Sequence, residues 1–103
     1  MPMDAKFERG QVINILKGQQ DFLARRYAVR SLALFGSVAR DDATPNSDID
    51  ILVEFSRPVG LFGLFELQDY LEALLGCKVD LGTVESLKPR IKERVLAERV
   101  YVA

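Results

Sequence analysis

Two hydrophobic periods run along this chain. From Asp4 to about Tyr27 the apolar residues Phe7, Val12, Ile13, Leu16, Leu23 and Tyr27 recur at three- and four-residue spacings, with charges between them. That spacing predicts an amphipathic helix, weakened at Gly10 and Gly18. A short run from Ser31 to Phe35 predicts a strand stopped by Gly36, and Ser37 is a good N-cap for one helical turn reaching Arg40. Asp41 to Ser47, "DDATPNS", is turn chemistry. Ile49 to Phe55 is almost continuously apolar, which predicts a central strand covered on both faces. After a loop at Arg57–Gly60, Leu61 to Leu75 predicts a helix with Leu64, Leu67, Leu71 and Leu74 along one side and Gly76 as its C′ residue. Lys78 to Leu81 predicts a short third strand. A last helix starts near Ser86, with Leu87, Ile91, Val95 and Leu96 on one face and Pro89 in its first turn.

The order helix, strand, strand, helix, strand, helix points to an α/β (α+β) sandwich, a three-stranded mixed sheet backed by helices, with one domain over residues 1–103. The opening of the Leu61–Leu75 helix, "LFGLF", is unusually apolar; it reads first as core and second as a partner-binding face, and Val100–Ala103 is similarly apolar.

Composition narrows the chemistry. The chain has 103 residues, 49% hydrophobic and 28% charged, with a formal net charge of -1. No global field draws it to nucleic acid or to a membrane surface, and direct nucleic-acid binding is not expected. No apolar stretch reaches the length of a membrane span and the N-terminus has no signal-peptide core, so a cytoplasmic protein is expected. The one cysteine, Cys77, rules out an internal disulfide and reads as a small packed residue; with no histidine, Cys/His zinc sites and histidine-activated nucleophiles are excluded. Chemistry must run on carboxylates, hydroxyls and basic side chains, with or without a metal.

Asp48 and Asp50 are two apart at the mouth of the second strand, so their side chains share a face. Such a pair repels itself unless a cation intervenes, and magnesium, which takes carboxylate and phosphate oxygens, suits the position. Asp80 stands alone in the apolar stretch Val79–Leu81; were the third strand beside the second, it would complete a cluster of three acids, and otherwise it pairs with Lys78 or Arg90. Gly36-Ser37 follows a strand and precedes a helical turn, where free backbone N–H groups attract phosphate. Arg40, three residues on, reads equally as a phosphate ligand or a surface ion pair, and Ser47 as the residue that shapes the turn before Asp48. A phosphate cradle opposite a carboxylate metal site describes a nucleotide site.

"FGSVAR", then "SDIDILVEF", then a distant "VDL" resembles the minimal nucleotidyltransferases of the DNA-polymerase-β-like superfamily, and in size the antitoxin half of HEPN–MNT toxin–antitoxin pairs. The resemblance implies that Gly36 and Ser37, with Arg40 and Ser47 beside them, bind the nucleotide. It implies that Asp48, Asp50 and Asp80 are catalytic and hold Mg2+, two ions in the family's mechanism. It further implies transfer of AMP from ATP to a tyrosine hydroxyl of a cognate HEPN toxin, in a hetero-oligomer. One position departs from the pattern, Asp41 standing where the family commonly has glycine. Two rival readings stay open: an antitoxin that neutralises by binding alone, and a nucleotidyltransferase subunit that modifies a small molecule.

Overall fold

Strand β2 (Ile49–Phe55) lies inside the sheet, as its unbroken apolar run predicts, with Ile49, Ile51, Leu52 and Val53 buried. The computed structural model describes residues 9–39 and 48–102. In chain order they form α1 (Arg9–Gly18), α2 (Gln20–Tyr27), β1 (Val29–Phe35), α3 (Gly36–Ala39), β2, α4 (Leu61–Leu75), β3 (Val79–Thr83), a 3-10 turn (Val84–Ser86), α5 (Pro89–Glu98) and β4 (Val100–Tyr101). The sheet order is β3-β2-β1-β4; β1 is antiparallel to β2 and β4, and β2 is parallel to β3.

The mixed α+β class stands, with one correction: among the described residues the sheet has four strands, not three. The additional strand is β4, which pairs Ala33 with Tyr101 and Leu34 with Val100. Val102 N–H then donates to Leu32 O at 2.9 Å, and Val102 is buried. A two-residue strand has no period to read, so the apolar C-terminal segment is a sheet edge where the sequence suggested a partner face.

The first helix is also divided. Residues 4–8 lie outside the described set, and the remainder is α1 and α2, broken at Gln19. Gly18 weakens the helix there, and Gln19 N–H turns back to Leu16 O, an i→i−3 bond of 3.0 Å. The apolar face survives the break: Val12, Leu16 and Leu23 are fully buried. Gln19 Oε1 also accepts a 2.6 Å hydrogen bond from the Tyr70 hydroxyl, which ties the break to α4.

These helical residues join Leu34, Ile49, Ile51, Val53, Leu67 and Leu71 in one hydrophobic cluster. Leu34, fully buried on β1 between two paired strands, is a sensitive position. Leu34→Ala is expected to lower unfolding free energy by about 3 kcal/mol, read from urea midpoints, through lost burial and the cavity left behind.

Two helix expectations change. The last helix begins at Pro89, not near Ser86, because Thr83 and Ser86 cap a separate 3-10 turn reciprocally, with bonds of 3.1 and 3.2 Å. Its apolar face is only partly covered, and Ile91 is exposed. The core reading of "LFGLF" holds only for Leu64, which is partly buried against the core; Leu61, Phe62 and Phe65 are 65%, 86% and 50% exposed, while Leu67 and Leu71 on the opposite side of α4 are buried.

Candidate active site

The site is built where β1 runs out. Gly36 follows the last residue of β1 and turns the chain into α3 with φ at +70°, a left-handed conformation that costs other residues about 1 kcal/mol or more. A second constraint acts there. A Cβ on Gly36 would overlap the Asp50 carboxylate at Oδ2 and stand 3.1 Å from its Cγ. Asp50 pairs with Phe35 across the antiparallel ladder, which sets its side chain beside this turn. The glycine of one motif and the acid of the other are therefore in direct apposition.

Asp80 lies on the same face of the sheet, one strand away. In the parallel β2–β3 ladder Asp50 pairs with Asp80, and paired residues on neighbouring strands project to the same face. The condition that β3 lie beside β2 is met. Asp50 is half-buried, whereas Asp48, one residue before β2, and Asp80 are exposed. Among the described residues neither Lys78 nor Arg90 forms an ion pair with Asp80.

Oxygen donors and strand placement both fit a magnesium ion. As the side chains stand, however, no group of three or more acidic, histidine or cysteine residues among the described ones closes on a point that would hold a metal. Ser37 is the second residue of α3. Arg40 and Ser47, together with Asp41, lie outside the described residues.

One contact had no sequence signal. The Arg9 guanidinium Nη1 donates to Ala39 O at 2.8 Å, tying the start of α1 to the end of the Gly36–Ala39 turn across thirty positions. Only the fold brings those residues together. A cavity of about 600 Å3 does not coincide with the acids. It lies at the far end of β2, lined by Arg30, Phe55, Arg57, Leu61, Leu64 and Thr83 among others, with none of Gly36, Asp48, Asp50 or Asp80.

A family model described as "Nucleotidyltransferase domain" matches residues 16–102, spanning both motifs and Asp80. The chain belongs to the nucleotidyltransferase family. Protein adenylyltransferase MntA of Thermococcus cleftensis is 45% identical over 92 residues, covering 89% of this chain and 93% of that protein. A solved structure provisionally named a minimal nucleotidyltransferase is 35% identical with a TM-score of 0.71, covering 85% of this chain and 93% of the other. A toxin–antitoxin structure with AMP-PNP superimposes with a TM-score of 0.69 at 25% identity, over 84% of this chain and 72% of the other. The minimal nucleotidyltransferase fold read from the motifs is the fold observed. No helix among the described residues of this nucleotidyltransferase is long and apolar enough to cross a membrane.

Proposed function

We propose that this nucleotidyltransferase is a Mg2+-dependent protein adenylyltransferase acting as an antitoxin, transferring AMP from ATP to a tyrosine hydroxyl of a HEPN-type toxin. The observation that carries the reading is the apposition of Gly36 and Asp50, with Asp80 in register across the ladder. It joins a phosphate-receiving turn to carboxylates, which a module that only binds has no need to keep. The adenylyltransferase name of a relative 45% identical supports the reaction, and the toxin–antitoxin structure with AMP-PNP supports partner and nucleotide.

In this reading the backbone at Gly36 and Ser37 receives the β- and γ-phosphates, and Arg40 and Ser47 are assigned to nucleotide binding by the family resemblance alone. Asp48, Asp50 and Asp80 hold Mg2+, which when bound neutralises phosphate charge and favours the attacking alkoxide. The acceptor oxygen attacks the α-phosphorus in line. The bond from that phosphorus to the bridging oxygen breaks, pyrophosphate leaves, and the acceptor's proton is lost to solvent. This is catalysis by positioning and charge neutralisation, so a chain without histidine is equipped for it. The exposed Leu61, Phe62 and Phe65 suit a protein acceptor better than a small molecule.

The test is to incubate the protein with α-labelled ATP, Mg2+ and host lysate, beside the Asp48→Asn/Asp50→Asn variant. Label on one protein band, absent with the variant, is the expected result. A partner that co-purifies but takes no label would replace the enzyme with an antitoxin that acts by binding.

A further inference from the structure

Beyond the motif residues, one side chain from α4 reaches the acid site through a single peptide unit. Glu72 Oε2 accepts a 3.0 Å hydrogen bond from Val79 N–H. The carbonyl of that same peptide, Lys78 O, accepts from Ile49 N–H, also at 3.0 Å. Ile49 separates Asp48 from Asp50, and Val79 immediately precedes Asp80.

The chemistry of the arrangement is directional. Because Lys78 O points to β2, the N–H of the same peptide points outward, and among the described residues β3 is an edge strand with no neighbouring strand on that side. Glu72 supplies the missing acceptor. A carboxylate accepting from an N–H makes a stronger bond than a neutral group, and it polarises the peptide so that the opposite carbonyl becomes a better acceptor for Ile49. Two linked bonds therefore fix the end of β3 against β2 at the residues flanking the acids. The helix end is anchored too: Gly76 N–H donates to Glu72 O at 2.8 Å, so the segment from Glu72 to Val79 is held at both ends.

We infer that Glu72 is a positioning residue for Asp80: its carboxylate holds the 78–79 peptide in the register that lets Asp80 act with Asp48 and Asp50. The inference rests on the reading of those acids as the magnesium site. It assigns Glu72 no contact with metal or nucleotide.

The experiment titrates Mn2+, followed by its electron paramagnetic resonance signal, at saturating α,β-methylene-ATP, whose reacting bond cannot be cleaved. Wild type, Glu72→Ala, Glu72→Gln, Asp80→Asn, the Glu72→Ala/Asp80→Asn double variant and Asp48→Asn/Asp50→Asn are compared. Supporting a metal-site acid commonly matters tenfold or more, so Glu72→Ala should weaken Mn2+ binding about tenfold. Glu72→Gln, which keeps an acceptor oxygen, should stay within about threefold of wild type on the same scale. In the Asp80→Asn background Glu72→Ala should add nothing, since both act through one group. Deuterium exchange at the Val79 amide should quicken in Glu72→Ala and not in Glu72→Gln. Should Glu72→Ala fail to fold, Glu72→Asp withdraws the carboxylate by one methylene and takes its place.

Unchanged Mn2+ affinity in Glu72→Ala, or a loss that persists undiminished without Asp80, would overturn the inference. If Asp80→Asn and Asp48→Asn/Asp50→Asn both bind Mn2+ as wild type does, the metal-site reading fails with it. That pattern is distinct from one in which only Glu72→Ala is silent.

Discussion

Gly36→Ala is expected to abolish label transfer and to cost about 2–4 kcal/mol of stability, from the sum of a left-handed backbone and an overpacked contact. The two causes add. The φ of +70° makes any side chain unfavourable, and the added methyl meets the Asp50 carboxylate, which is itself held by its place on a central strand. Something must move, and either candidate is part of the site. If the chain yields at Gly36, the backbone proposed to receive phosphate is displaced; if Asp50 yields, its oxygens leave the proposed metal position. Urea unfolding and the labelled-ATP assay read the two consequences separately. The control is Gly36→Ala/Asp50→Ala, which removes the colliding carboxylate. It should be more stable than Gly36→Ala by about 1–2 kcal/mol, within the range of coupling between touching residues, while staying inactive. A double variant no more stable than the single one would place the whole cost in the backbone.

That contact marks the limit of what could be read from the sequence. Gly36 and Asp50 were both legible, each from its own short motif, because a glycine ending a strand and paired acids opening one are local patterns. Their apposition was not, since it depends on β1 and β2 pairing with Phe35 opposite Asp50. Asp80 lay between these cases: its place beside Asp50 was conditional on strand order, and the parallel β2–β3 ladder met the condition. Arg9 and Glu72 carried no signal, because an arginine opening a helix and a glutamate within one are ordinary surface residues until their partners are known.

Elements show the same division. Ile49–Phe55 and Leu61–Leu75 have the bounds that their apolar runs predict, because length and period agree there. The period carried straight across Gly18, so the break at Gln19 could be located only by the tighter hydrogen bond that forms it. The first turn of α4 misled for a different reason. An apolar residue reads as core whenever no partner is considered, and Phe62 is 86% exposed.

The three acids should not contribute equally, and their ranking follows from where the fold puts them. Asp50→Asn is expected to lower transfer by about a thousandfold or more, on the order of 4 kcal/mol of transition-state stabilisation. Asp50 is half-buried against Gly36, and the amide fills the space of the carboxylate, so the loss in the transfer step is chiefly one of charge. Asp80→Asn should cost about 10–100-fold, the smaller effect of an exposed acid on an edge strand where water can substitute for one ligand oxygen. Asp48, exposed at the mouth of β2 but only two residues from Asp50, should fall between them. Single-turnover rates at saturating ATP, measured across a Mg2+ series, separate chemistry from metal affinity. For Asp80→Asn a higher Mg2+ level should recover part of the rate, whereas for Asp50→Asn it should recover none. Equal losses at all three positions, insensitive to Mg2+, would mean that burial beside Gly36 does not set the order.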